Sequence, residues 1–316
     1  MKRYTLRISL LARVGVLSLL VVFLGSCSIQ KIAVGMIADT LAGTGTSGNA
    51  FMRDNDPELV GDALPFTIKL YELILEMDPE NRPLILTTGS LFVMYANAFV
   101  WGPAEILPFD EFEAQFAARM RAKQLYLRGR DMVMQGVELK YPGFTQAAFE
   151  GKLEPFLEKF TKEDVPYLYW LGAGWFGAFS LDNFDVNLAI NVKAAADLLL
   201  KAYEIDPEYD DRTLDEFLIT FHGVVPQGYG GDPTKVEYHF NRVVELRGER
   251  SVGPYVALAQ SVGVPKQNYP LFRDMLAKAN EIEIEDYPDQ LLLNTINLRK
   301  ARWLKENEEF LFLELE

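Results

Sequence analysis

Two stretches of the chain end a helix in nearly the same five letters. Glu76-Met77-Asp78-Pro79-Glu80 and Glu204-Ile205-Asp206-Pro207-Glu208 each set an aspartate and a proline directly behind an amphipathic run. Proline has no amide hydrogen and its ring clashes with the preceding turn, so a helix stops there. Used as a ruler, this ending has weaker copies at Glu138-Leu139, Glu245-Leu246 and Glu281-Ile282, and the marks fall 62, 66, 41 and 36 residues apart. Ahead of them, at the same offsets, stand Thr67/Tyr71/Ile74, Gly129/Val133/Gly136, Ala195/Leu199/Ala202, Val236/Phe240/Val243 and Phe272/Leu276/Ala279. A chain with such a period is a series of helical units, each too small to bury its own apolar face and stable only when stacked on its neighbours.

Residues 165–209 hold the clearest unit. An uncharged aromatic run extends to Ser180, and an amphipathic run follows, with Ala195, Leu199 and Ala202 at helical spacing before Asp206-Pro207. Leu171-Gly172 with Trp175 fits the first helix of a tetratricopeptide repeat, and Ala195, Leu199, Ala202 and Pro207 fit the second. Gly and Ala let two helices approach, and a large side chain between them fills the partner's groove. An ordinary helical hairpin has the same spacing. The expected fold is all-α: a tetratricopeptide-like helical-repeat array of roughly four to five divergent hairpins, the first two units carrying insertions, plus a C-terminal capping helix. The cap falls at 288–309, where Arg299, Lys300, Lys305, Glu306 and Glu308 give it a soluble outer face.

Two first helices carry no charge, over 22 residues at 83–104 and 17 at 165–181. The first is long enough to cross a bilayer, but it contains Thr87, Thr88, Ser90 and Asn97, and Gly102-Pro103 is expected to break it. Gly89 with Phe92 repeats the Gly172/Trp175 spacing, which makes the run a repeat helix. In stacked hairpins first helices line the concave face, so uncharged ones imply an apolar groove. Its candidate lining is Tyr95, Asn97, Trp101, Tyr169, Trp170, Phe176, Phe221 and His222; each of these is equally accounted for as packed core. Two inserts, 102–119 and 144–164, lengthen the hairpins, the second with helical periodicity at Phe149, Leu153, Phe156, Leu157 and Phe160.

Composition removes most catalytic chemistry. One cysteine permits no internal disulfide and no cysteine metal site, and two histidines, His222 and His239, build no multi-histidine centre. His239, among polar neighbours, is expected at the surface. The Gly-rich stretch 226–233 lacks the Lys-Ser/Thr of a phosphate cradle and reads as a turn. No nucleophile has a base in context, and no carboxylate pair is singled out for glycan chemistry. Neither an enzyme nor a cofactor is expected. The net charge of −14 repels phosphate backbones, so nucleic acid is excluded as a partner.

The N-terminus supplies an address. Lys2, Arg3, Arg7 and Arg13 precede an apolar run at 14–24, then Leu24-Gly25-Ser26-Cys27. This is the pattern of a lipoprotein signal peptide over 1–26, cut so that Cys27 carries lipid. The anchor consumes the chain's one thiol and places residues 27–316, a single domain, in the cell envelope. Residues 28–41 show a short helical pattern, and 43–49 a Gly/Ser/Thr loop.

Leu86-Thr-Thr-Gly-Ser90, Trp101-Gly-Pro103, Tyr169-Trp-Leu-Gly172 and Ala195-Ala-Asp-Leu198, on an exported helical array, resemble the T-component of tetratricopeptide-associated TRAP (tripartite ATP-independent periplasmic) transporters. The chain departs from the repeat consensus at Thr67, Tyr141 and Val236. The resemblance implies a periplasm-facing lipoprotein that binds a periplasmic substrate-binding protein, assembles as a homotrimer around a pore-like cavity, and takes a small apolar or carboxylate ligand. An envelope-assembly scaffold is the alternative.

Overall fold

The structure, a computed structural model, describes residues 49–314. Cys27, the signal segment 1–26, the helix expected at 28–41 and the loop up to residue 48 lie outside the described residues. Ten principal helices follow: α1 Pro57–Met77, α2 Arg82–Tyr95, α3 Phe112–Lys140, α4 Val165–Leu181, α5 Val186–Ile205, α6 Tyr209–Val224, α7 Val236–Arg247, α8 Gly253–Leu258, α9 Tyr269–Asn280 and α10 Leu291–Glu306. The described residues contain no strand.

Local chemistry sets the helix starts. Asp56 accepts from the Leu59 amide at 3.0 Å, Asn81 from Leu84 at 3.0 Å, Asp185 from Asn187 at 2.9 Å and Asn268 from Leu271 at 3.1 Å. Each satisfies an amide that the first turn leaves without a carbonyl. Prolines fall in the first turns of α1, α2, α4, α8 and α9, where no amide hydrogen is needed. The two Asp-Pro endings stop α1 and α5 as expected.

Consecutive helices lie side by side, α1 on α2, α2 on α3, α3 on α4, α4 on α5, then α6 on α7 and α8 on α9. Contacts thin out between α5 and α6. There the chain turns through Asp210, Asp211 and Arg212, all with positive φ, and the regular helix resumes at Thr213. The left-handed stretch is held by Arg212, which reaches Glu208 at 2.8 Å and Glu245 at 3.0 Å. Two cores result. One gathers α1 to α5 around Leu64, Phe92, Val133, Leu168, Leu171, Trp175 and Leu199. The other gathers α6 to α10 around Ile219, Val243, Phe272 and Leu304. Phe176, Val192, Leu218 and Phe221 join them.

The ends of the array meet. Leu292 of α10 belongs to the first core, Arg299 pairs with Glu58 of α1, and Arg53 reaches Asp289 at 2.6 Å. Glu105, beyond α2, takes Gln260 at 2.8 Å and Lys300 at 2.7 Å. Phe109 packs on Trp303 and Phe310 at 5.8 and 5.2 Å.

Two expectations need correcting. Gly102 does not break the uncharged helix: Ala96–Trp101 widens into a π turn and Gly102–Glu105 continues it, because the Gly102 amide shifts its bond to the Asn97 carbonyl. By length and composition this helix could cross a membrane, and half of its apolar window is buried in the protein. Much of the first insert is helix, since α3 starts at Phe112. The second is helical, as its periodicity indicates, in two short α-helices, Phe144–Phe149 and Glu154–Leu157, parted where Gly151 takes φ 67°. Its Phe156 and Phe160 pack edge to face on Phe144, which is buried in the first core.

Candidate functional site

The uncharged helices come together where small residues leave no side chain at the crossing. A Cβ on Gly129 of α3 would stand 2.7 Å from the Gly89 carbonyl of α2, and one on Gly172 of α4 would stand 2.5 Å from Leu199 of α5. Backbones this close fix how α2, α3 and α4 present their remaining faces.

On α4, Tyr169 and Trp170 meet at 5.0 Å, and Tyr169 also packs on Tyr209 at 5.8 Å and Phe217 at 6.4 Å. Phe217 continues to Phe176 at 5.9 Å, and Phe176 to Phe221 at 5.4 Å. This aromatic chain has an open end and a closed end. Tyr169, Trp170, Tyr209 and Phe217 are half-buried, whereas Phe176 and Phe221 are core. Burial pushes the phenols of Tyr169 and Tyr209 well above the usual range, and Trp170 bonds to Tyr209; both tyrosines stay neutral donors.

One ion pair stands in this apolar setting. Glu216 binds Arg247, and burial raises the Glu216 carboxyl against the pull of the guanidinium. Glu216 keeps 30% of its side chain accessible while Arg247 keeps 7%. The Arg247 Nε is buried with no acceptor.

A second group sits on α2 and its π turn. Tyr95 is buried, stacks on Phe99 at 6.0 Å and lies under the Arg121 guanidinium at 5.8 Å. Asn97 is exposed and its Oδ1 accepts from the Tyr126 hydroxyl at 3.1 Å. Trp101 is half-buried. Tyr126 in turn fills the space that a side chain on Gly177 of α4 would need, so α3 links the two groups.

His222 stands apart from both openings. It is buried, and its Nδ1 accepts from the Asp232 amide at 3.0 Å, which leaves the proton on an unpartnered, buried Nε2. Desolvation, with His239 alongside, depresses its pKa to about 4. The two imidazoles stack at 5.3 Å. His239 is 3% exposed, so its expected surface position is corrected: Nδ1 sits 2.7 Å from Asp215, which also accepts from Arg242 at 3.2 Å. A buried carboxylate with two cationic or polar partners organises α6 on α7. The loop 226–233 is a turn, its Gly230 at φ 96°. No group of His, Cys, Asp or Glu among the described residues is placed to hold a metal ion.

Sequence reading missed Tyr209, Phe217, Tyr126 and the Glu216–Arg247 pair. Phe217 carried a signal, lying one turn before Phe221 on the same face. Tyr209 did not, because it follows a helix stop and reads as loop.

A family model described as the TRAP transporter T-component matches residues 53–312. An uncharacterized protein of Treponema pallidum (strain Nichols) is 33% identical over 302 residues, covering 91% of this chain and 94% of its own length.

Proposed function

The chain belongs to the TRAP transporter T-component family, and from that premise we propose that it is the envelope-anchored accessory subunit that binds the system's periplasmic substrate-binding protein. Lipid on Cys27 holds it to the membrane, its body faces the periplasm as a tetratricopeptide-like array, and three copies assemble. The family match over 53–312 carries this reading. The role is docking and hand-over, not catalysis.

A small ligand with an apolar body and a carboxylate end fits the open part of the aromatic chain. Tyr169, Trp170, Tyr209 and Phe217 offer ring faces and neutral donors at a solvent-reached position, and aromatic walls with few polar groups suit such a body. Arg247 has a spare buried N–H beside its bond to Glu216, the donor that a carboxylate would take. Sedimentation of the mature protein with its candidate binding protein at micromolar concentration tests the docking role: a faster-moving complex supports it, and two independent boundaries remove it.

A further inference from the structure

Helix α3 outruns the helix it packs on. Phe112, Phe116, Arg119, Lys123, Tyr126, Arg130, Val133 and Val137 recur along it at intervals of 4, 3, 4, 3, 4, 3 and 4, the spacing of a single packing stripe. From Lys123 onward the stripe is buried. Tyr126 fills the space beside Gly177 of α4, Arg119 donates to the Leu181 carbonyl at 2.7 Å, and Leu181 is where α4 ends. The two positions before Arg119 project past that end with no helix to meet them. Phe116 and Phe112 are 51% and 68% exposed and stack with ring centroids 6.3 Å apart. The α4–α5 turn adjoins them, pinned to α3 where Lys123 reaches Asp182 and Asp185 at 2.7 Å each, and on it Phe184 is 92% exposed.

We propose that this face docks the periplasmic substrate-binding protein, through an apolar surface rimmed by lysine and arginine; the inference rests on the docking role proposed above. Charge selects the partner. Asp110, Glu111 and Glu113 stand exposed at the start of α3 and, among the described residues, without an ion pair. Asp182 and Asp185 share one lysine, and Arg121 turns away to Tyr95 on α2. Five carboxylates against Arg119 and Lys123 leave the rim negative, so its complement is basic.

Size agrees with a partner that docks and leaves. Three phenyl groups at these exposures offer roughly 400 Å², about half of what one side of a standard interface buries. An aromatic centre inside a charged rim is the anatomy of a non-obligate contact. Other occupants fit less well. A second copy brings acid to acid: the chain carries −14, and its other broad apolar face, on α1, lies on a helix with four acids and one lysine. The same carboxylates oppose an anionic lipid surface.

The test is sedimentation of the mature full-length protein with its candidate binding protein at micromolar concentration, in wild type and three variants. Phe116→Ser with Phe184→Ser should weaken the complex about 30-fold or more. Glu111→Lys with Glu113→Lys should slow association and flatten its dependence on salt. Phe66→Ser with Leu73→Ser, on the α1 face, should leave the affinity within about twofold. All these side chains are exposed, so the melting temperature should stay within about 2 °C of wild type, which separates lost contact from lost fold. A wild-type complex that the Phe116 and Phe184 replacements leave intact overturns this surface while the docking role stands, as does a complex lost only with the α1 variant. Absence of a wild-type complex removes both. A photoreactive benzoylphenylalanine at Phe184, irradiated in the native envelope, should join the binding protein; an adduct with lipid, with a second copy or within the chain overturns the proposal.

Discussion

The two halves of the array weight two devices, close backbone approach and buried charge, differently. From α1 to α5 the decisive contacts are absences: no side chain at Gly89 or Gly129, so that α2 meets α3 at backbone range, and none at Gly172, so that Leu199 of α5 seats on α4. From α6 to α10 they are charges and amides. Asp215 holds His239 and Arg242, Arg247 binds Glu216, and Asn294 accepts from the Val252 amide while donating to the Arg250 carbonyl. The difference is one of emphasis, since Asp164 is buried under Lys140 and Tyr141 in the first half and a Cβ on Gly223 of α6 would stand 2.9 Å from the Ser261 carbonyl in the second. The α2–α3 crossing should therefore be most sensitive to one methyl group, and the α6–α7 pairing to the loss of a buried charge or to pH.

The largest expected effect lies in the charged half. Asp215→Ala leaves Arg242 and His239 without their buried acceptor and should cost about 3–5 kcal/mol in urea unfolding; a loss under about 1 kcal/mol would show that solvent already screens this pair. Next, Gly129→Ala drives a methyl into the Gly89 carbonyl and should cost about 3 kcal/mol. Gly228→Ala, which meets no atom within 4 Å, serves as the control and should change little.

Acid should separate the halves further. The His222 pKa is near 4 when folded and near 6.5 otherwise, so the neutral ring is favoured by folding and the unfolded chain takes up a proton first. Its contribution is complete above pH 6.5 and lost as pH falls towards 4, by roughly 3 kcal/mol at most. The difference in unfolding free energy between wild type and His222→Phe, followed from pH 7.5 to 4.5, should carry this slope; parallel curves would contradict it. Smallest is the seam where the ends meet. Arg299→Gln removes an exposed pair with Glu58 and should cost under ~0.5 kcal/mol, with ligand-free stability barely moved.

The halves also differ in how much the sequence disclosed. The helix stops at Asp78-Pro79 and Asp206-Pro207 were legible because the signal lies in adjacent residues. The close crossings of the first half showed as Gly172 and Gly89 at repeat spacing. The burial of His239 was not legible, since its cause, Asp215, is 24 residues away on another helix. The π turn was hidden for a related reason: the Gly102 amide has an acceptor one residue further back than helical spacing supplies. Of the residues expected to line a groove, Tyr169 and Trp170 come together with Phe217, which shares a helix face with Phe221, and with Tyr209, which local pattern did not flag. Tyr95 and Asn97 form a separate group, and Phe176, Phe221 and His222 are packed inside.

The proposed docking role is tested most directly by recovering the full-length protein from its own envelope after mild cross-linking and identifying what is attached by mass spectrometry. The account predicts a periplasmic solute-binding protein, together with a small apolar carboxylate that is lost when Trp170 and Tyr169 are both replaced by alanine. Recovery of outer-membrane assembly proteins with no solute-binding protein would contradict it.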